Sequence, residues 1–143
     1  MSFRVATQFA LRRSALPALN IHYRRSALRQ FHTTLPKMVV HNIESKAAFE
    51  EAVKTHKVVI VDAFATWCGP CKAIAPLVAK LSNEDQFKDF YFVKIDVDDL
   101  PELSQELGIT AMPTFVAFKD GEPSGKVVGA NPGAIQKLAA DLL

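Results

Sequence analysis

The sequence predicts one α/β domain over residues 39–143, with a central mixed β-sheet of about five strands flanked by about four helices. Short apolar runs alternate with segments of helical periodicity. One run, Val58–Ala65, is apolar almost throughout, which is typical of a strand covered on both faces. The last two strands flank a turn that contains Asp120-Gly121, which indicates an antiparallel hairpin after a parallel first part. The predicted order is β-α-β-α-β-α-β-β-α.

The first strand and helix are short. Val39–Ile43 is the strand candidate. Ser45 can cap the helix that follows, because a serine side chain accepts a backbone N–H of the first turn. The apolar face of this helix should consist of Phe49, Ala52 and Val53.

A longer helix follows the apolar run, from about Gly69 to Leu81. Its apolar residues are three and four positions apart, which matches one face of a helix. Pro76 lies inside it and predicts a kink, because proline lacks the N–H of one helical hydrogen bond. The predicted face is Ile74, Leu77, Val78 and Leu81.

The second half adds three strands and two helices. Asn131-Pro132 opens the last helix, whose apolar face should be Ile135, Leu138, Ala139 and Leu142. The preceding elements are a strand over Phe90–Asp96, a helix from Pro101 to Gly108, and strands over Thr114–Lys119 and Lys126–Ala130.

Charge divides the chain into two parts. Residues 1–38 contain six arginines and Lys37 but no acid, a charge of +7, whereas residues 39–143 contain ten lysines and fifteen acids, a charge of −5. Because the domain is acidic, we expect it not to bind nucleic acid. No run approaches 18 apolar residues, so we also expect no stable membrane association.

Residues 1–38 have the composition of a cleavable, disordered mitochondrial transit peptide, rich in Arg and Ser and free of acid. Arg29-Gln30-Phe31 resembles a two-step cleavage site, in which a first cut follows Gln30 and Phe31–Met38 is removed next. We therefore expect the mitochondrial matrix as the location. The alternative is a basic tail that binds acidic partners. Translation from Met38 would instead give a cytosolic form without this segment.

The chain has only two cysteines, Cys68 and Cys71, at the junction of the buried strand and the longer helix. A thiol at a helix N-terminus faces unpaired amide groups, which lower its pKa. Cys68 should therefore attack, and Cys71, one turn into the helix and more buried, should resolve the mixed disulfide. Pro70 is tolerated in the first turn, where its missing N–H costs little.

Two other interpretations of the cysteine pair are weaker. A structural zinc ion needs four ligands, and the four histidines lack the spacing of a zinc finger, so we expect no metal. Plain packing of two buried cysteines does not explain their position at a helix start. The histidines are His22, His32, His41 and His56.

Further motifs make the resemblance specific. Trp67–Lys72, Met112-Pro113-Thr114, Lys119-Asp120-Gly121 and Gly129 stand in the order and spacing of the thioredoxin family, so residues 39–143 resemble a thioredoxin domain. The resemblance implies the thioredoxin fold and reduction of protein disulfides, with electrons from an NADPH-dependent thioredoxin reductase. It implies no bound cofactor, a monomer, and disulfide-containing protein substrates such as peroxiredoxin-like proteins.

Asp62 lies inside the apolar run, where burial should raise the pKa of its carboxyl. The resemblance assigns it proton transfer with Cys71. The alternative is a solvent-exposed acid at a strand end. Lys94 matches a family lysine that lies near this acid and tunes it, although an ordinary solvated lysine would fit the sequence equally well.

Met112-Pro113 resembles the cis-proline turn of the family, which faces the two cysteines and offers the Met112 backbone to a substrate strand. A trans proline that begins a strand is the alternative. Trp67, beside Cys68, should line the substrate surface rather than the core. The predicted docking patch consists of Trp67, Gly69, Pro70, Ile109, Met112, Pro113, Gly129 and Ala130.

Two alternative functions remain. Disulfide isomerases and oxidases usually carry a His between the cysteines and enter the secretory route, and this chain has Gly69-Pro70 there and no secretory signal. A redox-silent binding module would not need both cysteines and the proline loop, and replacing both cysteines by Ser would leave its binding intact.

Overall fold

The computed structural model describes residues 39–143; the predicted transit peptide and its cleavage site lie outside the described residues. In this part of the chain, five strands and four α-helices follow one another in the predicted order. No helix in it is long and apolar enough to cross a membrane. The elements are β1 (Val40–Asn42), α1 (Lys46–Thr55), β2 (Val58–Phe64), α2 (Gly69–Leu81), β3 (Tyr91–Asp96), α3 (Pro101–Glu106), β4 (Thr114–Lys119), β5 (Glu122–Val128) and α4 (Pro132–Ala140).

The five strands form one mixed sheet in the order β1-β3-β2-β4-β5. Strands β1 and β2 run parallel to β3, whereas β4 runs antiparallel to β2 and β5. The central strand is therefore β2, in which Asp62 is in register with Lys94 on β3 and Phe115 on β4. The end of β2 consequently lies between the loop that follows β3 and the loop that precedes β4.

Two apolar cores lie on opposite faces of the sheet. Residues of β2 contribute to them alternately: Val58 and Ile60 pack with α2 and α4, and Val59 and Val61 pack with α1 and α3. By the same alternation, Asp62 points to the α2 face. The predicted helix faces are confirmed, with Leu77 and Val53 half-buried and their other members buried.

Side chains cap the N-termini of three helices, α1, α2 and α4. The Ser45 hydroxyl accepts the N–H of Ala48 at 3.2 Å, which confirms the predicted cap of α1. The Asn131 side chain accepts the N–H of Ala134 at 3.1 Å and caps α4 in the same way. A cysteine, Cys68, occupies the capping position of α2.

The prediction for the last strand was wrong at both ends, because β5 begins at Glu122 rather than Lys126 and ends at Val128 rather than Ala130. Asp120 and Gly121 both have positive φ, 52° and 88°, so the turn is tight and pairs Glu122 with Lys119 at once. Pairing with β4 thus overrides the poor strand propensity of Pro123, Ser124 and Gly125. A short 3₁₀ helix over Asp85–Phe87 was also not predicted, and α3 ends at Glu106, two residues early.

Candidate active site

A disulfide joins Cys68 to Cys71 at the start of α2, with their Cα atoms 5.3 Å apart. The Cys68 Sγ atom accepts the backbone N–H of Cys71 at 3.2 Å, so the sulfur occupies the position that a capping oxygen takes in other helices. The free N–H groups of the first turn point toward this position. A negative charge that develops on Cys68 would therefore be stabilised there.

The two cysteines are equally buried, each 4% exposed, so the expectation that Cys71 is more buried was wrong. Cys68 is as buried as Cys71 because both cysteines pack with Ala65 in a small apolar cluster. The cluster is contacted by Phe64, Val97 and Met112. Burial therefore does not distinguish the two sulfurs, whereas the position of Cys68 at the helix N-terminus does.

The Asp62 carboxyl is 7% exposed, and its Oδ1 atom has no hydrogen-bond partner within the described residues. Burial raises the pKa of Asp62 from its ordinary 3.8 to about 7, and the positive charge of Lys94 partly opposes this rise. The predicted burial is confirmed, and the alternative of an exposed strand-end acid is wrong. Asp62 and Cys71 line the same cavity of about 310 Å³, which leaves room for water between them.

Lys94 is half-buried and lines the same cavity. Its Nζ atom lies 5.4 Å from the centre of the Phe64 ring, a cation–π distance. Lys94 forms no ion pair with Asp62 in the part of the chain that the structure describes, but its charge lowers the pKa of that acid. This lysine is therefore part of the surroundings of Asp62 rather than a fully solvated side chain.

The loop before β4 contains a cis peptide bond between Met112 and Pro113, so the trans alternative was wrong. Pro113 is buried, and its carbonyl accepts the N–H of Gly129 at 2.7 Å. The Met112 side chain packs against the cysteine cluster, as expected of a loop that faces the disulfide. Among residues 39–143, none forms a hydrogen bond to the backbone N–H or C=O of Met112.

Trp67 lies on the surface, as predicted, with 67% of its side chain exposed. Its indole Nε1–H donates to the Asp98 carboxylate at 2.8 Å. The backbone N–H of Asp98 in turn donates to the side chain of Asp96 at 3.0 Å. Asp98 was missed in the sequence, because it lies 31 positions from Trp67 and no local pattern connects them.

The remaining residues of the predicted patch differ in exposure. Gly69, Pro70 and Ala130 are exposed, and Gly129 is half-buried. Ile109 is half-buried and packs against the core on the α1 and α3 face, so only part of it is available to a substrate. Val128 was also missed; it is 56% exposed, directly precedes Gly129 and pairs with Thr114 at the proline loop.

A pair of cysteines at the junction of a buried strand and a helix, on an α/β domain, defines the class of the protein disulfide oxidoreductases. The thioredoxin family model matches residues 39–141. The chain therefore belongs to the thioredoxin family, and its fold is the thioredoxin fold, as the motifs predict.

Individual relatives agree with this result. The chain is 53% identical over 110 residues to Thioredoxin-2 of Pyricularia oryzae, a match that covers 77% of this chain and 63% of that protein. It is 46% identical over 94 residues to mitochondrial Thioredoxin-3 of Saccharomyces cerevisiae, covering 66% of this chain and 72% of the relative. The chain also matches a solved structure with a TM-score of 0.68 and 41% identity. That structure comes from a study of the thiol resolving mechanism in yeast mitochondrial 1-Cys peroxiredoxin via glutathione/thioredoxin systems. That match covers 72% of this chain and 95% of the solved one.

Proposed function

We propose that this protein reduces disulfide bonds in other proteins, with Cys68 as the nucleophile and Cys71 as the resolving thiol. The observation that carries the proposal is the position of the Cys68 sulfur at the N-terminus of α2, one turn from its partner. Gly69-Pro70 between the cysteines adds no histidine that would stabilise the thiolate further. This favours a strongly negative reduction potential and a reductant over an oxidant or isomerase.

The reaction requires two successive exchanges. The Cys68 thiolate attacks one sulfur of the target disulfide, the target S–S bond breaks, and the second target sulfur leaves and takes up a proton. Cys71 then loses its proton and attacks the Cys68 sulfur of the mixed disulfide. The target leaves fully reduced, and the Cys68–Cys71 disulfide retains the oxidation state that the target has lost.

Asp62 is proposed to accept the proton of Cys71 during the second exchange. A base is most useful when its pKa is close to the working pH, and the pKa of Asp62 is raised to about 7. The cavity shared by the two side chains supports transfer through a water molecule. Lys94 is proposed to tune this base, because its charge keeps the pKa of Asp62 from rising further.

The substrate is proposed to bind as an extended strand beside Met112. The backbone N–H and C=O of Met112 have no partner among the described residues, and added strands bind through such free groups. Trp67 and Ala130 offer exposed surface to the target. Pro113 was predicted to be part of this patch, but its side chain is fully buried, so we propose that it shapes the loop and does not touch the target. The other members of the proposed patch are Trp67, Gly69, Pro70, Ile109, Met112, Gly129 and Ala130, and we add the exposed Val128.

The electrons are proposed to come from NADPH through a thioredoxin reductase, with peroxiredoxin-like proteins among the substrates. Family membership supports the first part, and the peroxiredoxin context of the matched yeast structure supports the second. Residues 1–38 are proposed to be a cleavable transit peptide that takes the domain over 39–143 to the mitochondrial matrix. Their composition supports this, as does the similarity to mitochondrial Thioredoxin-3. Initiation at Met38 would give a cytosolic form.

The activity is tested by insulin reduction with the full chain, NADPH and a thioredoxin reductase, beside Cys68→Ser. We expect turnover that the substitution abolishes. Acceleration of insulin reduction by dithiothreitol above the rate without the protein, but no turnover with the reductase, would contradict the proposed electron source alone. No turnover with the reductase and no acceleration with dithiothreitol, in a folded and reduced protein, would contradict the reductase function and favour the binding module.

The location is tested by fusing residues 1–38 to a reporter protein. We expect the reporter in the mitochondrial matrix, shortened by processing. A matched fusion with glutamine in place of all six arginines should stay in the cytosol, because it has lost nearly all of its positive charge. Diffuse cytosolic fluorescence from the unaltered fusion would contradict the proposed location.

A further inference from the structure

We propose that Thr114 is a positioning residue whose hydroxyl holds the backbone of Met112 in the orientation that receives a substrate strand. The inference rests on the proposed function, in which Met112 pairs with an extended substrate. It concerns a side chain that cannot touch the substrate, because Thr114 is fully buried.

The Thr114 side chain forms a hydrogen bond that spans the proline loop. Its Oγ1–H donates to the backbone C=O of Ala111 at 2.7 Å, and this bond encloses Met112 and Pro113. Pro113 has no N–H, so the loop has one backbone donor fewer than an ordinary turn. The threonine hydroxyl supplies a donor in its place.

The Thr114 end of this hydrogen bond is held in place by the sheet. Thr114 begins β4 and pairs with Ala63 on β2 and Val128 on β5, so its backbone is held on both sides by the sheet. The next carbonyl of the loop, that of Pro113, is occupied by the N–H of Gly129.

Carbonyl groups on both sides of Met112 are therefore engaged, while its own N–H and C=O have no partner within residues 39–143. The Met112 side chain packs against the Cys68–Cys71 cluster. The hydroxyl thus fixes the direction of two free backbone groups beside the reacting sulfurs. A substrate strand finds them already aligned and loses less freedom on binding.

The test compares Thr114→Ala with Thr114→Ser in the full chain, because both lack the methyl group and only serine keeps the hydroxyl. The reduced proteins are oxidised in single turnovers by an extended peptide that contains a disulfide, and separately by a small aromatic disulfide that cannot add as a strand. Thr114→Val, which keeps the side-chain volume, replaces alanine if the alanine variant does not fold.

We expect the alanine variant to need about tenfold more peptide for half-maximal rate. The loss of one net hydrogen bond changes a binding equilibrium by roughly this factor. Its maximal rate and its rate with the small disulfide should stay within about twofold of wild type. The serine variant should behave like wild type. Ser104→Ala is the control, because the Ser104 hydroxyl also donates to a backbone carbonyl, that of Leu100 at 2.9 Å, but inside α3.

Three results would overturn the role of Thr114: equal half-saturation for the alanine and serine variants, the same loss in Ser104→Ala, or an equal loss with the small disulfide. The last would show an effect on the sulfurs rather than on strand binding. Failure of the wild-type protein to reduce the peptide would instead overturn the proposed function itself.

Discussion

The buried carboxyl of Asp62 should make the stability of the folded protein depend on pH, and Asp62→Asn should remove that dependence. The folded-state pKa of about 7 lies above the ordinary value of 3.8, so the folded protein holds a proton that the unfolded chain has released between these pH values. Stability must therefore fall as pH rises through this window. The full loss of stability is reached only above the folded-state pKa of Asp62.

The size of the effect follows from the two pKa values. The difference between 3.8 and about 7, at about 1.4 kcal/mol for each pH unit, corresponds to about 4 kcal/mol. This is an upper limit, because the cavity beside Asp62 can admit water that solvates the carboxylate. We expect the neutral asparagine to stabilise the oxidised protein by about 2–4 kcal/mol above pH 7, and by close to nothing at pH 4, where Asp62 is protonated.

The measurement is urea unfolding of both proteins, with the disulfide intact, at several pH values from 4 to 8.5. Asp89→Asn is the matched control, because Asp89 is exposed, and its stability difference should be small at every pH. A stability difference between wild type and Asp62→Asn that is the same at pH 4 and pH 8.5 would refute the reasoning. It would show that the carboxylate is not penalised by burial.

Three further predictions concern reaction steps and packing. Cys71→Ser should accumulate a mixed disulfide between Cys68 and its target, seen as a mass increase on non-reducing electrophoresis; release at the wild-type rate would contradict the resolving role. Asp62→Asn should slow the breakdown of that mixed disulfide by roughly tenfold or more without slowing its formation, as stopped-flow single turnovers would show; equal slowing of both steps would exclude proton transfer from Cys71. Gly125→Val should lower the free energy of unfolding by about 1–3 kcal/mol, because a Cβ atom there would lie 2.6 Å from Cδ1 of Leu138, whose side chain is buried in the core and would have to shift; unchanged urea unfolding would contradict this close packing.

Much of the fold could be predicted because the determining signals are local. The spacing of apolar residues fixes which face of α2 and of α4 enters the core, and the cap at Ser45 needs only its own helix. The burial of Asp62 was predictable for the same reason, since its neighbours in β2 are all apolar. The cysteine pair indicates its chemistry through its place between a strand and a helix.

Other features depend on contacts between residues that are distant in sequence. The sequence alone therefore could not predict these features. The bond from Trp67 to Asp98 requires the loop after β3 to lie beside the start of α2, which only the strand order brings about. The start of β5 was missed because pairing with β4 outweighs local propensity. The exposure of Val128 likewise depends on how the hairpin ends beside the proline loop.

Polar groups of Asp62 and of the Met112 backbone, both near the disulfide, lack hydrogen-bond partners within residues 39–143. Asp62 holds the single buried side-chain polar atom of residues 39–143 that lacks a partner, and the Met112 backbone groups have none either. Buried polar groups without partners destabilise a fold, so such positions are rare unless the reaction uses them. An acid without a fixed partner can exchange a proton, and a backbone without a partner can bind a strand. The proposed disulfide exchange needs both, and the domain gives up stability at Asp62, whose unpartnered carboxyl is buried.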